Sequence, residues 1–89
     1  MQNKQTLQTY PCDYTFKVFG TASTQQRLSR EVYEAVVDVV DITMDAISDR
    51  SSSGGKYFCI SVNARLQNEE QRRRIYVALQ NLEGVRYLL

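Results

Sequence analysis

Hydrophobic and polar residues alternate along 13–20 (DYTFKVFG). Tyr14, Phe16 and Val18 fall on one side, Thr15, Lys17 and Phe19 on the other. Period two, with aromatic and β-branched residues, predicts a strand that stops at Gly20. The period then lengthens. Leu28, Val32, Val36 and Val39 recur at helical spacing with Ala35 beside them, while Glu31, Glu34 and Asp38 lie off the stripe. An amphipathic helix is therefore predicted over 24–40. Ser23, followed three residues later by Gln26, has the pattern of a capping box at its start.

Residues 42–50 (ITMDAISDR) alternate less cleanly, with Ile42, Met44 and Ala46 set against Thr43, Asp45, Ile47 and Asp49. This predicts an edge strand, where charge discourages stray pairing. The run 51–55 (SSSGG) is the strongest turn signal and predicts a flexible hairpin loop between two strands. Residues 56–66 (KYFCISVNARL) form the clearest strand: Phe58, Ile60, Val62 and Ala64 face one way, Tyr57, Cys59, Ser61 and Asn63 the other. Asn68, with Gln71 at the third helical position, predicts the cap of a second helix. Glu69 and Glu70 sit at its positive end, each four residues before an arginine, Arg73 and Arg74. Ile75, Ala78, Leu79 and Leu82 form its buried stripe, and Gly84 is placed as its C-cap. Residues 85–89 (VRYLL) close the chain as a short strand. No internal repeat is visible.

The order β-α-β-β-α-β, with two right-handed crossovers on one antiparallel sheet, predicts an α+β ferredoxin-like two-layer sandwich. The first and third strands take the centre, the second and fourth the edges, and both helices cover one face. The chain of 89 residues is expected to hold a polar tail over 1–9 and a single domain over 10–89. The uncovered sheet face, bearing Lys17, Phe19, Tyr57, Cys59, Ser61, Asn63 and Arg86, is the candidate interaction face.

The segments YPCDYTFKVFG, SSSGGKYFCISVNA and LEGVRYLL together resemble the small YbeD-like bacterial proteins, over residues 10–89. The resemblance implies a fold similar to ACT-type regulatory domains and a lipoate-linked regulatory role. Its motifs are structural rather than catalytic. The chain departs from the family pattern in the glutamine-rich entry to the first helix and in the acidic second strand, so a partner on that side does not carry over.

Charge refines this picture. Eleven Lys and Arg against ten Asp and Glu leave a net +1. Yet Glu31, Glu34, Asp38, Asp41, Asp45 and Asp49 follow one another with no base between, and the remainder beyond Asp49 is mainly basic. Such a dipolar surface suits self-association or an oriented partner, while the near-zero total argues against nonspecific binding to nucleic acid. Histidine is absent, which removes the commonest general base and metal ligand. Cys59 would lack a histidine to activate it, and Asp38, Asp41 and Asp45 straddle a helix end and a strand. No catalytic residue, metal site or cofactor is assigned. Cys12 and Cys59 form no CxxC and read as thiols in a reducing compartment. The polar opening and the lack of any apolar run of about 20 residues lead to the expectation of a cytoplasmic protein with no membrane segment.

Two basic clusters are candidate anion contacts: Arg50 and Lys56 beside the serine-glycine turn, and the triplet Arg72, Arg73, Arg74. The turn lacks P-loop spacing, and a charged helix face is ordinarily solvated and paired, here to Glu69 and Glu70. RNA recognition on such a sheet would use Phe19 and Tyr57 with Lys17, but the third strand lacks the glycine and repeated aromatics of that signature. The expected function is a non-enzymatic regulatory, ligand-sensing or protein-interaction module working through the open face or an edge strand. Its expected partners are a second copy, another protein or a small molecule, and RNA binding is the alternative. A dimer over this face would cover Phe19, Tyr57 and Leu88.

Overall fold

A computed structural model describes residues 9–51 and 54–89. Most of the predicted tail, 1–8, and Ser52 and Ser53 of the predicted hairpin loop lie outside the described residues. The elements run β1 (Cys12–Thr21), α1 (Gln25–Val37), β2 (Ile47–Ser51), β3 (Tyr57–Leu66), α2 (Glu69–Gln80) and β4 (Tyr87–Leu88). All strand pairs are antiparallel, in the order β2-β3-β1-β4. This is the expected α+β sandwich. The two long strands pair over their whole length, from Cys12 opposite Leu66 to Thr21 opposite Tyr57, and so take the centre.

Alternation decides what the sheet buries. Phe16 and Val18 from β1 meet Phe58, Ile60, Val62 and Ala64 from β3, and this layer packs on Leu28, Val32, Val36, Ile75 and Leu79 of the helices. Each large apolar side chain removed from water there contributes about 1.5–3 kcal/mol relative to an exposed position. Gly20 continues the buried side of β1 where no side chain fits. A Cβ there would lie 3.0 Å from Leu28 Cδ2, 3.1 Å from the Gly84 carbonyl and 3.2 Å from Phe58 Cε1.

Several local expectations need correction. A 3-10 turn occupies Ala22–Thr24, so Ser23 does not cap α1. Thr24 holds that position, and its hydroxyl donates to the Thr21 carbonyl at 2.9 Å instead of capping a helical N–H. The helix ends at Val37, and the amides of Val39 and Val40 both turn back to the Val36 carbonyl at 2.9 Å. The second strand is shorter than predicted, because Met44–Ala46 forms a 3-10 turn with Met44 61% exposed. Its faces are reversed too. Ile47 pairs with Val62 and packs against the core. Asp49, on the same side, accepts from Gln25 Nε2 at 3.1 Å and Ser29 Oγ at 3.3 Å, both on α1. Two side-chain donors thus hold a carboxylate on the helix side of the edge strand.

The start of α2 is as expected. Asn68 Oδ1 accepts from the Gln71 amide at 2.9 Å, and Gln71 Oε1 accepts from the Gln67 amide at 2.8 Å. Its acidic first turn pairs one position earlier than predicted: Arg72, not Arg73, holds Glu69. Asn81 rather than Gly84 is the C-cap. Gly84, at φ 99°, instead turns the chain toward β4, a left-handed geometry that favours glycine. Backbone bonds from Arg86 N to Phe19 O (2.8 Å) and between Lys17 and Leu89 (3.0 and 2.9 Å) anchor the last residues to β1. Among the described residues, no helix is long and apolar enough to cross a membrane.

Candidate interaction face

The register of four strands fixes what shares the open side of the sheet. One row runs across it as Arg50, Cys59, Phe19 and Tyr87, and the next as Ser48, Ser61 and Lys17. The Phe19 and Tyr87 rings lie 5.9 Å apart at 57°, a tilted contact within the favourable range for aromatic pairs. Between β1, β2 and β3 lies a depression of about 510 Å³, lined by Lys17, Phe19, Arg50, Tyr57, Cys59 and neighbouring serines. Asp49 borders it too, but its carboxylate accepts from Gln25 and Ser29 of α1. Lys17 and Arg50 make no ion pair among the described residues. The hollow is therefore cationic, with an aromatic rim.

The structure brings together Lys17, Phe19, Tyr57, Cys59 and Ser61, and adds Arg50, which the sequence had placed with the turn. Asn63 is on the same face but farther along, where its Oδ1 accepts from Thr15 Oγ1 at 2.5 Å. Beyond it Arg65 pairs with Asp13 at 3.2 Å. Arg86 is exposed just before β4, and its amide donates to the Phe19 carbonyl at 2.8 Å. Leu88 is opposite Val18 and packs against the core, and Tyr87 is opposite Phe19. Leu88 cannot then be an exposed contact of the open face, and Tyr87 takes its place. VRYLL has no alternation from which the facing of its residues could be read, so Tyr87 was not legible.

The remaining candidates scatter. Lys56 is exposed at the foot of β3, with its carbonyl accepting from the Ala22 amide at 3.0 Å. The arginine triplet does not converge on one anion. Arg74 borders a groove between the helices, Arg73 is exposed, and Arg72 is spent on Glu69, donating from Nε to both carboxylate oxygens at 3.1 Å. Those bonds, and then the Tyr10 hydroxyl donating at 2.6 Å, hold the Glu69 carboxyl down at about 2. Desolvation first, and then the bond to Glu69, raise the Tyr10 phenol above its ordinary value. The Thr43 hydroxyl lowers the Asp45 carboxyl. Cys12 and Cys59 carry no disulfide. Among the described residues, no group of three or more Cys, Asp or Glu side chains is placed to hold a metal ion.

Comparison with known proteins matches residues 5–89 to the family described as "Protein of unknown function (DUF493)". The chain belongs to this family. UPF0250 protein IL0958 of Idiomarina loihiensis is 35% identical over 80 residues, covering 90% of this chain and 88% of that protein. UPF0250 protein NMA1380 of Neisseria meningitidis serogroup A is 33% identical over 93 residues, covering 99% and 96%. These agree with the YbeD-like resemblance of the three sequence segments. The solution structure of protein HP0495 from H. pylori superposes with a TM-score of 0.58 over 100% of this chain and 94% of that one, at 23% identity. This likeness bears out the fold.

Proposed function

We propose that this DUF493 protein is a small non-enzymatic interaction module that binds an anionic ligand or protein segment on the open face of its sheet. One observation carries the reading. Lys17 from β1 and Arg50 from β2, distant in sequence, border one aromatic-rimmed hollow and have no ion-pair partner among the described residues. Its volume, about 510 Å³, lies within the range that small-molecule sites occupy, about 300–1,000 Å³. The YbeD-like resemblance adds a lipoate-linked regulatory role. Lipoate, a carboxylate on an apolar chain, has the charge and the flexible body that such a hollow accepts. A second copy of the chain is the competing occupant, supported by the exposed Tyr57 and Tyr87. A two-fold contact over this face, however, sets Lys17 and Arg50 close to their own copies, a like-charge cost that an anion reverses.

Amide resonances of the full chain, followed while lipoate or an acidic peptide is added, test this. Shifts at Lys17, Phe19, Arg50, Cys59 and Tyr87 that disappear in Lys17→Ala/Arg50→Ala support it. No shift with either probe sinks it, as does light scattering that shows a dimer whose formation protects the same amides. RNA binding is the second reading, carried by Phe19 on β1 and Tyr57 on β3, where bases stack on related sheets. It predicts affinity for single-stranded RNA that falls with salt and weakens in Tyr57→Ala.

A further inference from the structure

On the other layer, the outer surfaces of α1 and α2 leave a groove of about 780 Å³ between them. Its origin is local. Ala35 on α1 and Ala78 on α2 are both small, so the helices touch the sheet and leave a trough above their contact. Val39 and Leu82, in the turns that follow each helix, close its apolar walls, and Val77, 52% exposed, stands at its edge. The rim is acidic on one side. Glu31, Glu34 and Asp38 follow α1 at steps of three and four residues, opposite Arg74 of α2. Glu31 is shared with Arg27 at 3.0 Å. Glu34 and Asp38 make no ion pair among the described residues.

We propose that this groove docks a cationic amphipathic helix of a partner protein. The trough between two packed helices has the shape that a third helix fills with its own apolar ridge. An apolar stripe on that partner would cover Ala35, Val39, Val77, Ala78 and Leu82, and lysines or arginines along one flank would reach Glu34 and Asp38. The 13 residues of α1 set a length of ~20 Å for the partner helix. A second copy of this chain does not fit. The apolar stripes of α1 and α2 are already buried against the sheet, so a copy has no free helix stripe to lay in the groove. The groove lies on the layer opposite the open sheet face, so occupancy of one leaves the other accessible.

The test uses the full chain and a synthetic helix of about 14 residues, built from leucine and lysine with leucines at helical spacing. A counterpart with glutamate in place of lysine is the control. The expected result is amide shifts confined to 34–39 and 74–82 with the lysine helix and none with the glutamate helix. Glu34→Lys/Asp38→Lys, both at exposed positions, lowers the affinity by about tenfold or more. Asp41→Lys/Asp45→Lys makes the same change of net charge outside the groove and leaves the affinity within about twofold. Absence of binding by the lysine helix overturns the proposal. So do equal losses in the two double variants, equal binding of the glutamate helix, or shifts that map to Lys17, Arg50 and Tyr87 instead.

Discussion

Phe16 and Lys17 are neighbours on β1, with the same backbone pairing to β3, yet they belong to different parts of the protein. Phe16 has no exposed surface and belongs to the core that both helices help to form. Lys17 is exposed and borders the cationic hollow. On the helix side, apolar atoms contact other apolar atoms of the same chain. On the open side, charges and rings point outward with few partners inside the molecule. One face of the sheet holds the protein together, and the other is left for something else to complete. Because both faces come from the same strands, single substitutions can separate stability from binding.

The largest expected effect breaks the helix side. Phe16→Ala empties a site at the centre of the core and should cost about 3–5 kcal/mol, measured by urea unfolding. A loss under about 1 kcal/mol would mean that the helices do not depend on this layer. Next comes Gly20→Ala on the same side of β1. The added methyl meets Leu28, Phe58 and the Gly84 carbonyl at 3.0–3.2 Å, and overpacking of this kind costs about 1–3 kcal/mol. A smaller loss, about 1 kcal/mol, is expected for Asn68→Ala, which strips the cap from α2. Ser23→Ala should leave stability nearly unchanged, since Ser23 caps no helix.

Acid probes the edge of this layer. The Glu69 carboxyl is held at about 2 against an ordinary 4.5, so its bonds to Arg72 and Tyr10 stabilise the fold fully above the ordinary value. That contribution is lost as pH falls from 4.5 toward 2. The urea midpoint of Glu69→Gln should therefore depend less on pH across this window than that of the parent chain, and parallel curves would refute the pairing. The smallest effect on stability belongs to the open side. Lys17→Ala should stay within about 0.5 kcal/mol of the parent while weakening binding of an anion to the hollow. That split is the sharpest form of the comparison between the two faces.

Legibility followed the same division. The faces of β1 and β3 were readable because ten-residue strands with alternating Phe, Val and Ile against Thr, Lys and Ser leave one sensible facing. The Asn68 cap was readable because its partner, Gln71, lies within the same turn. Ser23 misled because the pattern of a capping box is silent about the 3-10 turn that displaces the helix start. Ile47 and Asp49 misled for a tertiary reason: a lone carboxylate reads as solvent-facing until Gln25 and Ser29 arrive from α1 to bond it. Leu88 misled because five residues with no alternation carry no phase.

The sequence by itself determined the element order, the apolar set of the core and the existence of an uncovered sheet face, since periods of two and 3.6 are local properties of the chain. Tertiary structure alone decided which residues share a site. Register set Tyr87 beside Phe19, and strand order carried Arg50 to the hollow that Lys17 borders. Two facing alanines on separate helices opened the acidic groove. Those juxtapositions join positions remote along the chain, and only the pairing of strands and the packing of helices brings them within reach of one ligand.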